Sequence, residues 1–279
     1  MTAPKTKTVR LSNGVKIPIL GLGTSHIGGY CHSTVVHALK DCGYRLIDTA
    51  ARYKCEEAVG KAIRESNVPR KDIFLTTKLW KSELGYKKTI DAFSASLQRL
   101  KVEYIDLYLI HWPVCPHGSN NVKSLRAETW KAMEELYKQG LCKAIGVSNF
   151  EVSHLRDLEE TWDIIPHVNQ IEHHIYYRPM ELIQYCKDKG ICVEGYCPLS
   201  QGLALEEPII QELANKYKKT KSQILIRWNI QNDVVTIPKT TKESRVHENF
   251  QVFDFEIHEE DMQRVNSIHK TKMKKLILS

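Results

Sequence analysis

The chain has 279 residues, 42% hydrophobic and 26% charged, which fits a globular protein and excludes collagen, low-complexity disorder and a coiled-coil rod. Forty Lys and Arg against 33 Asp and Glu leave a formal charge of +7, but the basic residues are mixed with acids, and their densest block (Lys270, Lys272, Lys274, Lys275) reads as a solvated tail, so no nucleic-acid partner is expected. No apolar run approaches the ~18 residues of a membrane span, and the stretch from Met1 to Arg10 has no apolar signal core, so the expectation is a cytoplasmic protein with no membrane partner.

From the N-terminus, two short β-prone runs between Thr8 and Ile19 flank Asn13-Gly14, a dipeptide that suits a tight hairpin turn with positive φ. Beyond it, short apolar runs alternate with helical patterns. The strands are expected at Ile19–Leu22, Arg45–Asp48, Phe74–Leu79, Ile105–Ile110, Ala144–Ser148, His167–Gln170, Cys192–Tyr196 and Val234–Pro238. Ile90, Phe93, Leu97 and Leu100 mark one face of a helix after the third strand. Thr129, Met133 and Leu136 mark another, and Ser153 opens a third. Leu182, Ile183 and Cys186 mark a helix after the sixth strand, with Gly190 as its stop. Two helices, from Ile209 to Tyr217 and from Ser222 to Ile230, fall between strands seven and eight, one of them extra to the alternation. The eight cysteines include no C-x-x-C pair and read as free thiols.

Strict alternation of strand and helix implies parallel strands with right-handed crossovers. Eight units in ~250 residues match a (β/α)8 TIM barrel, read as a single domain over residues 1–279 with the hairpin as a cap. The alternative is a doubly wound open sheet, whose dinucleotide fingerprint requires G-x-G-x-x-G after the first strand. Gly21 and Gly23 are present, but His26 takes the third glycine position.

In a barrel, reacting groups leave the C-terminal ends of several strands. Asp48 ends the second strand, with Tyr53 five residues later. Lys78 lies near the end of the third, and His111 follows the fourth. A Tyr hydroxyl, with an ordinary pKa of ~10, is a poor acid at neutral pH. A Lys ammonium beside it is expected to lower that value, and an Asp carboxylate to hold the Lys in place. His111 can orient a carbonyl or share the proton. The set suits protonation of a carbonyl oxygen as hydride reaches its carbon. Taken singly each residue has an ordinary structural explanation: a helix cap, a packed ring, a snorkelling lysine. Together at one barrel mouth they point to catalysis.

Three stretches carry a resemblance. Gly43-Tyr44-Arg45-Leu46-Ile47-Asp48-Thr49-Ala50 with Tyr53, Glu56 and Gly60 resembles the first signature of the aldo-keto reductases. The run from Lys143 to Phe150 is similar to the second signature. Ile237-Pro238-Lys239-Thr240 with Arg245, Glu248 and Asn249 is similar to the third. The similarity extends from the hairpin to about Glu260. It implies a (β/α)8 barrel with a hairpin across its base, a catalytic set of Asp48, Tyr53, Lys78 and His111, and NADPH extended across the mouth. By the same resemblance Ser148, Asn149 and Gln170 hold the nicotinamide carboxamide, and Tyr196 stacks on the ring. Gly23, Thr24 and Asp48 belong to the cofactor site, Leu199 and Ser200 line the pyrophosphate path, and Lys239, Thr240, Thr241 and Arg245 grip the 2′-phosphate. Glu248 and Asn249 lie on the adenine. Lys239 and Arg245 also make physical sense alone, bracketing a loop-to-helix junction where orphan N–H groups favour anions. Trp80, Trp112, His111 and Ser25, the last where many relatives have Trp, are expected at the substrate pocket. Short connections, from His111 to Trp130 and from Ser200 to Ile209, and a short tail imply an open pocket of broad specificity. The reading is thus an NADPH-dependent reductase of small aldehydes and ketones, working as a monomer without a metal.

Rival patterns are weaker. The Tyr-x-x-x-Lys of short-chain dehydrogenases occurs twice, at Tyr185 with Lys189 and at Tyr217 with Lys221, in polar helical stretches and without the glycine fingerprint. Glu172-His173-His174 is the only local metal candidate, but neighbouring side chains in a strand point to opposite faces. An NADPH-binding regulatory protein on the same fold, like the channel-associated β subunits, remains the alternative to an enzyme.

Overall fold

The computed structural model describes residues 7–25, 28–114 and 121–277. The first strands, β1 (Thr8–Arg10) and β2 (Lys16–Pro18), pair antiparallel with Val9 opposite Ile17. Their connection is longer than the expected tight turn. Leu11 and Val15 close a loop of Ser12, Asn13 and Gly14, in which only Gly14 takes a positive φ, +86°. The Asn13 carboxamide is used three times, accepting from Val15 N and donating 3.0 Å to the Lys143 carbonyl and 3.3 Å to Tyr137 Oη under the barrel.

Eight parallel strands follow: β3 (Leu22–Gly23), β4 (Leu46–Asp48), β5 (Phe74–Leu79), β6 (Ile105–Ile110), β7 (Cys142–Ser148), β8 (Val168–Glu172), β9 (Cys192–Tyr196) and β10 (Val235–Thr236). They are paired in sequence order from β3 to β10. A parallel bridge between Leu20 and Thr236, with Gly21 N on the Thr236 carbonyl at 2.9 Å, closes the ring into a barrel. The expected first and last strands are therefore shorter than their apolar runs, because those runs also supply the closure.

Between the strands lie α1 (His32–His37), α2 (Glu56–Glu65), α3 (Tyr86–Leu100), α4 (Val122–Lys138), α5 (Val152–Glu159) and α6 (Met180–Asp188). Helices α7 (Pro208–Tyr217) and α8 (Lys221–Gln231) separate β9 from β10, and α9 (Glu243–Phe250), α10 (Glu259–Asn266) and α11 (Ile268–Thr271) complete the chain. On α3, Phe93 and Leu100 are fully buried, as the spacing requires. Gly190, at φ +70°, ends α6. The start of α5 is capped two residues earlier than Ser153 suggests, by a reciprocal box between Glu151 and His154.

Side chains alternate along each strand, so every second residue faces the barrel interior. Leu46, Phe74, Leu107, Ala144, Val168, Cys192 and Val235 form an apolar layer, and Leu11 and Ile17 of the hairpin join that cluster. The hairpin thus plugs the N-terminal end. Two or four residues further along the same inward faces come Asp48, Lys78, Ser148, Gln170, Glu194 and Tyr196. The interior turns polar toward its C-terminal mouth.

Candidate active site

Asp48 is the last residue of β4, and the chain then makes a 3-10 turn from Ala51 to Tyr53 that Lys54 closes at φ +56°. This short turn folds Tyr53 back over the strand ends. Lys78, on β5, is wholly buried, and its ammonium lies 2.7 and 2.6 Å from the two Asp48 carboxylate oxygens. It also donates 2.9 Å to the Thr49 carbonyl and stands 3.5 Å from Tyr53 Oη. His111, 7% exposed beyond β6, meets the Tyr53 ring edge-on at 5.5 Å and the Trp80 ring at 5.2 Å. Asp48, Tyr53, Lys78 and His111 are therefore one cluster.

The electrostatics differ from the expectation at Tyr53. Burial raises its pKa, Lys78 works against that, and Asp48 adds to it, leaving the phenol pushed up to about 12. The lysine offsets only part of the burial. Tyr53 is consequently a neutral phenol with a proton to give. Lys78 is the reverse case: burial opposes its charge, but Asp48 and Tyr53 raise its pKa, so it remains an ammonium.

The expected carboxamide holders converge beside this cluster. Ser148 Oγ donates to the Gln170 carbonyl. Asn149, held at φ +62°, donates 2.8 Å to the His111 carbonyl and accepts 2.7 Å from Tyr196 Oη. Gln170 Nε2 donates to Asp48 Oδ2 and to Glu194 Oε2, each at 2.8 Å. Gly23 packs close to the Ile237 carbonyl, and the Thr24 hydroxyl is spent on the Asp48 carbonyl at 2.9 Å. Asp48 itself has both oxygens engaged, by Lys78 and Gln170. Ser25 and Trp112 are partly exposed, as is Trp80, whose ring also carries Arg52 at 5.2 Å.

Further round the mouth, Leu199 packs at the core edge, and Ser200 Oγ is buried with no hydrogen-bond partner among the described residues. Lys239 is partly buried, which lowers its pKa, and lies against Gly28. Thr240 and Thr241 follow it, and Arg245 stands exposed on α9. Glu248 accepts the Thr220 hydroxyl at 2.7 Å, and Asn249 is buried at 4% exposure. An orphaned hydroxyl and two cations along one rim fit a phosphate-rich dinucleotide.

The rival motifs disperse. Tyr185 and Lys189 both bind Glu159, and Tyr217 donates to Asp261. His173 stacks on Trp228 and bonds Asn229, whereas His174 binds Glu172. The seven described cysteines are free thiols, and Cys115 lies outside the described residues. On the inner face of the barrel the buried acid Glu194 escaped the sequence reading, and Glu172 entered it only as a weak metal candidate. Counting back by two from Tyr196 and forward by two from Gln170 would have placed both on the inward face.

The sequence profile described as the aldo/keto reductase family matches residues 20–270. The chain belongs to that family. It is 46% identical over 265 residues to a glyoxal reductase of Bacillus subtilis, covering 94% of this chain and 93% of that one. An aldo-keto reductase from a Medee basin deep-sea metagenome superposes with a TM-score of 0.90 at 43% identity, covering 97% of both chains. An aldo-keto reductase of Bombyx mori, solved in complex with NADP, superposes at 0.87 with 34% identity, covering 95% of this chain and 94% of that one. This aldo-keto reductase is accordingly an NADP(H)-dependent oxidoreductase acting on carbonyl and alcohol groups, built on the (β/α)8 fold.

Proposed function

We propose that the enzyme reduces small aldehydes and ketones, α-oxoaldehydes among them, with Tyr53 as the proton donor. The observation that carries this is the buried Asp48–Lys78 pair set 3.5 Å beneath the Tyr53 hydroxyl at the barrel mouth. NADPH, when bound, supplies hydride to the carbonyl carbon. Ser148, Asn149, Gln170 and Tyr196 would hold its nicotinamide end, and Lys239 and Arg245 its 2′-phosphate.

The remaining chemistry belongs to the side chains. A carbonyl oxygen that gains negative charge needs a proton, and Tyr53 Oη offers one. The phenolate so formed is stabilised by the Lys78 ammonium, which Asp48 and the Thr49 carbonyl keep in place. His111, edge-on to Tyr53, and Trp80 border the space where that oxygen would sit. The glyoxal reductase likeness supports small, activated carbonyls as substrates.

Tyr53→Phe keeps the ring and removes the proton. Turnover of 4-nitrobenzaldehyde or methylglyoxal with NADPH should fall roughly 10²–10⁴-fold, the usual worth of general acid catalysis. Cofactor affinity by fluorescence titration should hardly change. A Tyr53→Phe enzyme with near-normal kcat would remove Tyr53 from this role. Wild-type protein that binds NADPH but turns over no carbonyl would instead support the regulatory reading.

A further inference from the structure

Glu194 stands out inside the barrel. It is fully buried on β9, opposite Gln170 of β8 and Val235 of β10. Its Oε2 accepts from the Gln170 amide, and its Oε1 has no partner among the described residues. The same amide nitrogen gives its other hydrogen to Asp48 Oδ2. One NH2 group therefore links two carboxyl groups from opposite parts of the barrel. That arrangement also decides which way round the amide sits, because its carbonyl end would face the Asp48 carboxylate, which can only accept. Asp48 is in turn the sole carboxylate on Lys78 among the described residues.

From this geometry we infer that Glu194 is a positioning residue of the proton donor: uncharged, it holds Gln170 on Asp48 and leaves Asp48 to Lys78, and once ionised it weakens Tyr53 as an acid. The inference rests on Tyr53 being the proton donor.

The charge count explains the switch. With Glu194 neutral, the charges beside Gln170 are one anion, Asp48, and one cation, Lys78; the Glu172 carboxylate, two residues further along β8, is taken up by His174 and the Leu276 and Ile277 amides. The charged groups facing Glu194 are Asp48 from β4 and Lys78 from β5. From β8 it meets the neutral Gln170, from β10 an aliphatic Val235, and on its own strand Cys192, whose thiol burial pushes up to about 12. An ionised Glu194 adds a second anion with an unsatisfied oxygen. Burial raises its pKa first and the Asp48 charge raises it further, against Gln170 and Lys78, to about 8. Below that the acid is neutral. Above it, the extra negative charge shares the field of Lys78 and disfavours the Tyr53 phenolate. Reduction then slows well below the range in which Tyr53 itself titrates.

The test uses Glu194→Gln, which keeps an oxygen for the Gln170 amide but cannot ionise. In the wild type, kcat for carbonyl reduction at saturating NADPH should fall about three- to tenfold as pH rises through about 8. In Glu194→Gln that limb should vanish. Infrared pH-difference spectra of the free protein should show a protonated carboxyl that ionises at about pH 8 and is missing from Glu194→Gln. This readout needs no turnover, so it stands even if Tyr53→Phe proves active and the proposed function falls. A wild type without the limb, a limb unchanged in Glu194→Gln, or a Glu194 already ionised at pH 6.5 would overturn the inference.

Discussion

Lys78 illustrates how a single position is forced by its neighbours. Its ammonium is fully buried, and Asp48, 3% exposed, is its counter-charge. Neither charge is tolerable there without the other, since desolvation of a lone ion is costly. Lys78→Met keeps the length and apolar stem but leaves Asp48 facing only the Gln170 amide. Chemical denaturation should show a loss of about 3–5 kcal/mol, the usual consequence of stranding a buried charge. The double variant Asp48→Asn/Lys78→Met, with no charge to strand, should recover much of that loss. A single variant as stable as wild type would mean that water reaches Asp48. The same logic reads Glu56 in the first signature. Its buried carboxylate accepts from Thr77 at 2.6 Å and from Arg99 at 2.7 Å, tying α2 to β5 and α3.

Gly60, also in that signature, is explained by how two helices meet. A Cβ on this α2 residue would lie 2.1 Å from the Leu100 backbone carbonyl, at the end of α3. Elsewhere in a helix, Gly→Ala is worth up to about 1 kcal/mol of added stability. Here the close approach reverses the sign, because a backbone atom cannot swing aside as a side chain can. Gly60→Ala should destabilise by about 1–3 kcal/mol, the range for overpacking, seen as a lower Tm. A stabilised variant would show that α2 and α3 can separate freely. Packing of this kind sets what was legible beforehand. Barrel strands are buried on both faces, so seven of the eight expected runs stand out as apolar segments that overlap β4 to β10. The first run, Ile19–Leu22, meets β3 only at Leu22 and supplies the closing bridge instead. Helices α1, α2 and α10 carry mixed polar patterns and escaped notice, and α9 was read only as the loop-to-helix junction between Lys239 and Arg245. The α1 helix even widens into a π-helical segment over Ala38–Cys42, which no propensity announces. The tetrad was legible because its members leave consecutive strand ends. The Asp48–Gln170 bond spans 122 residues, and the link to Glu194 crosses from β4 to β9. Only the closed ring brings them together.

The two ends of the barrel are finished by different physics. The hairpin seals the N-terminal end with apolar area, Leu11 and Ile17 entering the interior cluster. At the C-terminal end the closing contact is polar. Glu172, the last residue of β8 and opposite Tyr196, is 1% exposed and receives the backbone N–H of Leu276 at 2.6 Å and of Ile277 at 2.8 Å. His174 adds a third donor at 2.7 Å, since its Nδ1 already accepts from Tyr176 and Tyr177, leaving the proton on Nε2. Lys274 N on the Tyr176 carbonyl completes the attachment. Residues 274–277 are thereby tied beside the mouth by one carboxylate. Burial alone would raise the Glu172 pKa, but these three donors outweigh it and hold the carboxyl below its ordinary value. A folded value below the unfolded one, about 4.3, means the stabilisation is complete above pH 4.3 and is lost as pH falls through the folded value. At neutral pH the tie is therefore fully made, and Glu172→Gln should break it by turning an amide nitrogen toward an N–H donor. Hydrogen exchange at pH 7 should show the Leu276 and Ile277 amides losing protection in Glu172→Gln, while amides of β5 and β6 keep theirs. A second change, Lys274→Pro, deletes the neighbouring donor on Tyr176 and should loosen the same two amides with Glu172 intact. Unchanged protection in Glu172→Gln would show that the segment is held by its aliphatic side chains and not by the carboxylate.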